Sequence, residues 1–416
     1  MLNLDFLYGV INLSLEWSDV LLKDVLSKKG YIRGPFGSAL KRAEMKSEGI
    51  PVYEQQNAIY DNRIFRYYID EEKYQSLKRF TTYPDDLIIS CSGTVGKVSI
   101  IKKDDPKGII SQALLTLRVN KDLILPEFLK YFFSSYEGYN SLVSRSTGSV
   151  QVNISKRAVI EEIPLKLPPL DVQHKIVHYL SLIDKKIETN EKINKNLYGI
   201  LLNCFNEIFG HEEKNCKLSD IVNIRRGASP RPIKDYISDA GINWLKISDV
   251  TWTEMPFIYK IKEKIIEKGK SKSVFIEKGT LVVSNSATPG IPKFIMVDTC
   301  VHDGWLVLNK YGDNLRYYLY FLIVKIRREL INLAYGSVFN NLKTDTLKNY
   351  EISKPTEDQL DKFNKMAYPI MEKIDSNTKE IMMLSKLRDT LLPKLMSGEI
   401  DVSKINCDLE GSIGGV

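Results

Sequence analysis

The chain has 416 residues, of which 43% are hydrophobic, and its 59 Lys and Arg against 52 Asp and Glu give a formal net charge of +7. This length predicts two to three domains, and the positive charge permits a polyanionic partner without establishing one. No apolar run reaches the roughly 18 residues of a membrane helix, the N-terminus lacks a secretory pattern, and the five cysteines have no CxxC spacing, so we expect a cytoplasmic protein without disulfides or zinc.

Paired strings in the same order indicate that the chain repeats itself. The strongest pair is LIISCSGTVG at 87–96 and LVVSNSATPG at 281–290, which keeps Ser, Ser, Thr and Gly at the same spacing. Weaker pairs extend the two copies to 22–190 and 218–377. Copies of this length are too long for solenoid units, so each is interpreted as a domain followed by a helix.

Short β-branched runs bounded by Gly and Pro predict strands in each copy. In the first copy the expected elements are strands at 86–90 and 98–102 and a helix at 126–135; in the second they are strands at 280–285 and 294–297 and a helix at 315–333. The predicted fold class is α+β, with two pseudo-repeated mixed α/β domains separated by two long antiparallel coiled-coil-like helices. The predicted segments are a first domain at 1–169, a central helix at 170–210, a second domain at 211–355, a C-terminal helix at 356–400 and a disordered tail at 401–416.

Both long helices carry apolar residues at alternating steps of three and four, which is typical of a coiled-coil seam. About 38 residues at roughly 1.5 Å each make the first a rod on the order of 57 Å, longer than most globular helices. Because a buried Asn prefers a polar partner, Asn190 and Asn377 at matching positions predict that the two helices pair. Ordinary packing against the neighbouring domain is the alternative, and Pro369 predicts a kink. The residues predicted to pair the helices are Ile176, Ile183, Ile187, Asn190, Leu197, Ile374, Asn377, Ile381 and Leu384.

Sequence motifs for catalysis are absent. The string at 93–97 looks like a phosphate loop but lacks the GxxxxGK[ST] spacing. His174 and His178 lie four apart on a helix, yet no third ligand stands at metal-binding spacing. Neither an Asn-Pro-Pro-Tyr nor an Asp-Pro-Pro-Tyr string occurs, and there is no helicase phosphate loop. We therefore predict a non-catalytic chain with no metal site.

Polar and basic side chains recur at equivalent places in both copies. Ser, Thr and main-chain amides hold phosphates, Arg and Lys read guanine, and Asn and Gln read adenine. Solvated loops are the alternative for any single residue, whereas recurrence favours the clusters. The candidate nucleic-acid contacts are Arg33, Ser38, Lys41, Arg42, Ser92, Thr94, Lys97, Ser149, Gln151 and Asn153 in the first copy, and Arg225, Arg226, Arg231, Lys234, Ser286, Thr288, Lys293, Ser337, Asn340, Asn341 and Lys343 in the second.

These features together resemble the specificity subunits of type I restriction-modification enzymes. The resemblance covers nearly the whole chain and is specific as a set rather than through any one motif. It is carried by GPFGS at 34–38, the string at 87–96, IPL at 163–165 with PPL at 168–170 and Gln173, and LLPKLMSGEI at 391–400. The second copy departs from it with Ala287 in place of Gly93 and with Pro289 and Pro292 around its turn, so that turn is expected to contact DNA differently.

The resemblance implies a sequence-specific DNA-binding subunit with two target recognition domains, one for each half of a bipartite, asymmetric site. It also implies that the long helices set the gap between the halves and dock two methyltransferase subunits, through which restriction subunits join. The partners would use S-adenosylmethionine, ATP and Mg²⁺ for adenine methylation and deoxyribonuclease activity, and this chain would bind none of these. The alternatives are the specificity subunit of a fused methyltransferase-nuclease system and a helical scaffold that does not bind DNA.

Overall fold

The structure is a computed structural model, and it describes residues 17–145, 152–210, 213–335, 341–403 and 405. The chain divides into two compact units, one made of 1–185 with 384–416 and the other of 186–383. Within the described residues, no helix is both long enough and apolar enough to cross a membrane. Each unit is described by itself below.

The first unit contains a four-stranded antiparallel sheet, a three-stranded sheet and two small strand pairs. Its strands are β1 (Ser18–Leu21), β2 (Leu26–Arg33), β3 (Ile50–Tyr53), β4 (Tyr68–Ile69), β5 (Leu87–Ser90), β6 (Val98–Ile100), β7 (Ile109–Ile110), β8 (Leu114–Val119), β9 (Val143–Arg145), β10 (Val152–Ile154) and β11 (Pro164–Leu167). Its helices are α1 (Gln55–Ile59), α2 (Glu71–Ser76), α3 (Pro126–Ser134), α4 (Tyr136–Leu142), α5 (Arg157–Glu161) and the first part of α6 (Leu170–Phe209).

The second unit contains two five-stranded sheets and one small strand pair. Its strands are β12 (Cys216–Lys217), β13 (Asn223–Arg226), β14 (Ile237–Ser238), β15 (Ile242–Leu245), β16 (Phe257–Ile258), β17 (Glu263–Ile265), β18 (Val274–Ile276), β19 (Thr280–Ser284), β20 (Pro292–Ile295), β21 (Thr299–Val301), β22 (Trp305–Asn309) and β23 (Glu351–Ile352). Its helices are α7 (Arg316–Tyr335), α8 (Thr344–Lys348) and most of α9 (Glu357–Met396).

The two units share one strand topology, which confirms the predicted repeat. The order β2-β8-β5-β6 in the first unit corresponds to β13-β22-β19-β20 in the second. The second sheet of each unit holds one parallel pair, β3 with β7 and β15 with β21. Two α+β domains together with two long helices are therefore the observed fold class.

The central strands β5 and β19 are buried on both faces, which explains their continuous apolar sequences. Because side chains alternate across a strand, Leu87 and Ile89 enter the core that contains α3, whereas Ile88 enters the core formed with the second sheet. In the second unit Leu281 and Val283 alternate with Val282 in the same way. Full burial of each such side chain contributes about 1.5–3 kcal/mol.

The long helices pair within each unit. In the first unit, Ile176 on α6 lies in one core with Leu395 on α9, and in the second, Phe205 packs against Phe363 with ring centroids 5.5 Å apart. Ile374 and Ile187 are buried, whereas Ile183, Leu197, Ile381 and Leu384 are half-buried. The helix α9 continues through Pro369 without interruption, so this proline does not end it.

The polar part of the seam differs from the predicted pairing of Asn190 with Asn377. The Nδ2 of Asn377 donates to Asn194 Oδ1 at 2.9 Å, and the Nδ2 of Asn190 donates to Glu380 Oε2 at 2.9 Å. The predicted partner was therefore wrong by one helical turn, because the sequence supplied two Asn positions on the same seam of α6 and did not fix the register.

The beginning of the predicted tail is folded onto the first unit. Val402 is buried in its core, and the Lys175 Nζ donates to the carbonyl oxygen of Ser403 at 2.5 Å. Residues 401–403 therefore belong to this unit, in contrast to the predicted disorder, while 406–416 lie outside the described residues.

Candidate nucleic-acid interface

A serine-closed turn follows the central strand in both units. The Ser90 hydroxyl donates to the carbonyl of Thr94 at 2.6 Å and accepts from the Lys97 N–H at 3.0 Å. In the second unit the Ser284 hydroxyl donates to the carbonyl of Thr288 at 2.5 Å and accepts from the Ile291 N–H at 2.9 Å. The two turns therefore share one hydrogen-bond frame.

The departure at Ala287 does not change the shape of this turn. Gly93 has a φ of 62° and Ala287 has a φ of 58°, so both adopt the left-handed conformation. For an alanine this conformation costs roughly 1–2 kcal/mol relative to the right-handed one. The two turns thus hold the same backbone and differ in the side chains they present.

The tips of these turns carry several of the predicted contacts. Ser92, Thr94 and Lys97 are exposed in the first unit, and Ser286 and Thr288 are half-exposed in the second. Hydroxyl and ammonium groups in such positions are able to hold phosphate oxygens. The structure therefore leaves these five side chains accessible to a ligand.

An Arg-Gly pair ends the strand that borders each main sheet. Arg33 ends β2 and Arg226 ends β13, and each is followed by a glycine. A Cβ at Gly34 would lie 1.9 Å from the carbonyl oxygen of Ser111, and a Cβ at Gly227 would lie 2.1 Å from that of His302. The close passage of the backbone thus requires glycine at both positions.

Each of these arginines is held near its turn. In the first unit, burial raises the pKa of Cys91 to about 11 even though the Arg33 guanidinium beside it acts in the opposite direction. In the second unit the Arg226 Nε and the Asn285 Nδ2 both donate to the carbonyl oxygen of Asp303, at 2.7 and 3.0 Å. Cys91 follows Ser90 and Asn285 follows Ser284, so the two arginines lie beside corresponding residues of the two turns.

The basic cluster of the second unit gathers around Asp303. The Arg231 Nη2 lies 3.4 Å from Asp303 Oδ2, and the Ser229 hydroxyl donates to Oδ1 at 2.7 Å. This hydrogen bond, together with nearby positive charge, holds the pKa of Asp303 below its usual value. Arg225 and Lys234 are exposed beside this cluster.

The first-unit cluster is arranged differently. The Arg42 Nη2 donates to the Tyr67 hydroxyl at 2.8 Å, which ties its guanidinium to an aromatic ring, and Lys41 is exposed. Ser38 lies in a short 3-10 turn at Gly37–Ala39, and Asn153 lies in β10. The predicted contacts Ser149, Gln151, Ser337 and Asn340 lie outside the described residues.

The segment that begins at Asn341 lies against the turn of the second unit. The Leu342 N–H donates to the carbonyl oxygen of Asn285 at 2.8 Å. Asn341 and Lys343 flank this contact, and Lys343 is exposed. The structure thus brings these two predicted residues to the turn that carries Ser286 and Thr288.

Lys293 does not belong to this surface. It is only 2% exposed, and its Nζ donates to the carbonyl oxygens of Thr253 and Met255 at 2.7 and 2.6 Å. Burial lowers its pKa to about 7. The prediction of Lys293 as a nucleic-acid contact is corrected, because its ammonium group is turned into the protein.

Sequence reasoning also missed a set of basic residues in the first unit. Lys28, Lys29, Lys78 and Arg79 line one cavity together with Arg33. The two dibasic pairs are far apart in the chain, so only their adjacency within each pair offered a signal in the sequence. Among the described residues, no group of three or more His, Cys, Asp or Glu is placed to hold a metal ion.

The family described as the type I restriction modification DNA specificity domain matches this chain twice, at 15–198 and at 211–386. These two segments cover most of the chain and each contains one copy of the turn. The chain belongs to the family of type I restriction-modification specificity subunits.

Other specificity subunits are similar to this one in sequence and fold. The type I restriction enzyme MjaIX specificity subunit of Methanocaldococcus jannaschii is 27% identical over 316 residues, covering 69% of this chain and 72% of that protein. The HindI specificity subunit of Haemophilus influenzae is 23% identical over 393 residues, covering 73% and 84%. The crystal structure of the S subunit from M. genitalium has a TM-score of 0.58 at 14% identity, covering 93% of this chain and 97% of that one.

Proposed function

We propose that this specificity subunit reads a bipartite, asymmetric DNA target, with one recognition domain for each half of the site. The two long helices set the number of base pairs between the halves and dock two methyltransferase subunits, through which restriction subunits join. S-adenosylmethionine, ATP and Mg²⁺ are assigned to those partners, and this chain supplies recognition without catalysis.

The equivalence of the two turns carries this proposal. Ser90 and Ser284 close the same frame, yet the residues around it differ between the copies, as Lys97 against Ile291 illustrates. Two identical domains would read a symmetric site, whereas one frame with different side chains suits two unlike half-sites.

Exposed apolar side chains on the helices support the docking role. Ile193 and Ile200 stand one heptad apart on α6 and are exposed, as are Met382 and Met383 on α9. Apolar groups left in water on a helix surface are typical of a protein interface. These four residues lie within the second unit.

Separate substitutions of the two strand-ending arginines test the assignment of one domain to each half-site. We expect Arg226→Ala to weaken discrimination in one half of the methylated site and Arg33→Ala in the other, each by about 1–3 kcal/mol if the guanidinium contacts a base. Sequencing of methylated sites made by the assembled complex measures this, with Lys103→Ala as an exposed control. Equal loss at both halves for either variant would contradict the assignment.

A deletion of one heptad from each helix, outside the Asn194–Asn377 contact, tests the spacing role. Seven residues correspond to about 10 Å, or about three base pairs, so the gap should shorten while both half-site sequences persist. Altered half-sites with an unchanged gap would refute it. Salt-dependent duplex binding that weakens in Arg225→Ala/Arg226→Ala would separate a DNA reader from a helical scaffold.

A further inference from the structure

The first unit contains a cavity of about 980 Å³ whose lining is strongly basic. Eight of its fourteen lining residues are Lys or Arg, and none is Asp or Glu. They come from four stretches that are distant in sequence: β2, the segment before β5, β8, and the residues after β10. Folding therefore concentrates positive charge at one place that the sequence shows only as scattered pairs.

Most of this charge is not neutralised by the protein. Among the described residues, only two of the eight form salt bridges: Arg118 with Asp86 at 2.7 Å and Arg157 with Glu161 at 2.8 Å. The other six basic residues of the lining are Lys28, Lys29, Arg33, Lys78, Arg79 and Lys156. Several cations held together without counter-charges repel one another, and an anionic ligand relieves that repulsion.

The backbone of β2 is distorted where it carries two of these lysines. Its pairing with β8 shifts register between Leu26 and Tyr31, and Lys29 has a φ of 62°. The left-handed conformation costs roughly 1–2 kcal/mol for a residue with a Cβ. Strain of this kind tends to occur at functional positions, and here it accompanies the presentation of Lys28 and Lys29 to the cavity.

Other groups in the cavity also suit a nucleic acid. The Arg33 guanidinium lies 5.6 Å from the ring centre of Phe36, which is 66% exposed. Arg118 stacks on Tyr83 at 4.5 Å. Guanidinium groups fixed by rings retain N–H donors for phosphate oxygens.

The large cavity of the second unit has a different chemistry. It measures about 1040 Å³, and six of its twelve lining residues are Pro, Ile or Trp. Of its three basic residues, Arg231 is paired with Asp303 and Lys246 with Glu263, which leaves Lys234 without a salt bridge within the described chain. The large cavity is therefore strongly basic in the first unit and not in the second.

We propose that the lysines of this cavity, together with Arg79, bind the sugar-phosphate backbone of duplex DNA irrespective of base sequence, whereas Arg33 keeps the base contact assigned to it under the proposed function. The first domain then supplies the larger share of the salt-dependent affinity, and the second relies more on other contacts. This inference rests on the proposed DNA-reading function and adds to it an unequal division of electrostatic binding between the domains.

The test compares Lys78→Ala/Arg79→Ala with Lys103→Ala/Lys166→Ala in the full chain. Both double variants lose two positive charges, and Lys103 and Lys166 are exposed in the same unit outside the cavity lining. Binding to a target duplex and to an unrelated duplex is measured over a series of salt concentrations. The slope of log K against log salt is negative, and each lost phosphate contact reduces its magnitude by about 0.9, so the magnitude should fall by about 1.8 in the cavity variant on both duplexes.

The control variant should retain the wild-type slope. Equal slopes in all three proteins would overturn the inference, because the cavity residues would then make no phosphate contact. An equal loss in both variants would also overturn it, because the charges would then act only through the net charge of the protein. Lys28→Ala/Lys156→Ala provides a second cavity variant should the first unfold. If the cavity variants keep the wild-type slope but Arg226→Ala weakens binding to the target, the cavity inference is refuted and the DNA-reading function is retained. A wild-type chain that binds no duplex would refute both the cavity inference and the DNA-reading function.

Discussion

Lys293→Met should change how the stability of the second unit depends on pH. Lys293 is 2% exposed, and burial lowers its pKa from 10.5 to about 7. Below pH 7 both the folded and the unfolded chain carry the proton, so the full cost of the buried ammonium is present. As pH rises from about 7 towards 10.5, the unfolded chain binds more protons than the folded one, and the free energy of unfolding therefore increases.

The size of this effect follows from the same pKa values. A pKa lowered from 10.5 to about 7 corresponds to a cost of on the order of 5 kcal/mol at most, since each pH unit is worth about 1.4 kcal/mol. Methionine keeps the length of the side chain but leaves the carbonyl oxygens of Thr253 and Met255 without their donor, at about 1 kcal/mol each. The variant should therefore be more stable by a few kcal/mol near pH 7 and less stable above pH 10.

Urea unfolding at a series of pH values between about 7 and 10 measures this difference. Tryptophan fluorescence is suitable because Trp244, Trp252 and Trp305 all lie in the second unit. The unfolding free energy of wild type minus that of Lys293→Met should rise with pH by up to about 1.4 kcal/mol per unit. Lys268→Met, at an exposed position of the same unit, should show no such dependence. A constant difference would refute the reasoning, as would one that grows towards acid.

Two further substitutions test the packing described above. Gly227→Ala would place a Cβ 2.1 Å from the His302 carbonyl oxygen and should destabilise the second unit by about 3 kcal/mol. Gly199→Ala on α6, where an added Cβ has no neighbour within 4 Å, should stabilise it by up to about 1 kcal/mol. Thermal unfolding of the two variants measures both changes. Asn377→Leu should cost about 1–3 kcal/mol because it removes the donor to the Oδ1 of buried Asn194, whose Nδ2 keeps only its contact with Thr378. Asn194→Leu in the same chain should recover part of that loss in a double-mutant cycle. Additive losses would show that the two amides do not interact.

Elements with a strong local pattern could be predicted from the sequence. The strand β5 is a short apolar run, and α3 begins with Pro126 and carries apolar residues on one face, so both were placed to within one residue at their ends. The long helix α6 followed from its heptad pattern. Such elements depend on contacts between residues that are near in sequence, and the spacing of apolar residues along the chain reveals those contacts.

Features that depend on register could not be predicted in this way. Lys97 and Lys293 were both predicted to contact nucleic acid, but the serine hydrogen bonds show that Lys97 corresponds to Ile291. Lys293 stands opposite Val282 just as Ser99 stands opposite Ile88, on inward-facing positions. The charge of a side chain does not reveal its face, and the same lack of register misplaced the partner of Asn377.

The basic cavity was missed for a related reason. In sequence, β3 and β4 of the three-stranded sheet lie between Lys28 and Lys78, and the two lysines line one cavity only in the folded chain. Composition records the number of charges and not their grouping. Only the tertiary fold distinguishes a concentrated cluster from charges that are scattered over the surface.

The serine-closed turn has an evolutionary consequence. The Ser90 hydroxyl is satisfied entirely by backbone groups of its own turn, so the side chains at 92 and 94 take no part in holding it together. After duplication, the tips of the two turns were free to diverge independently while both domains continued to fold. Under the proposed function, substitutions at 92 and 94 would change the side chains presented to DNA without removing a hydrogen bond of the turn, so that recognition could evolve faster than the scaffold that presents it.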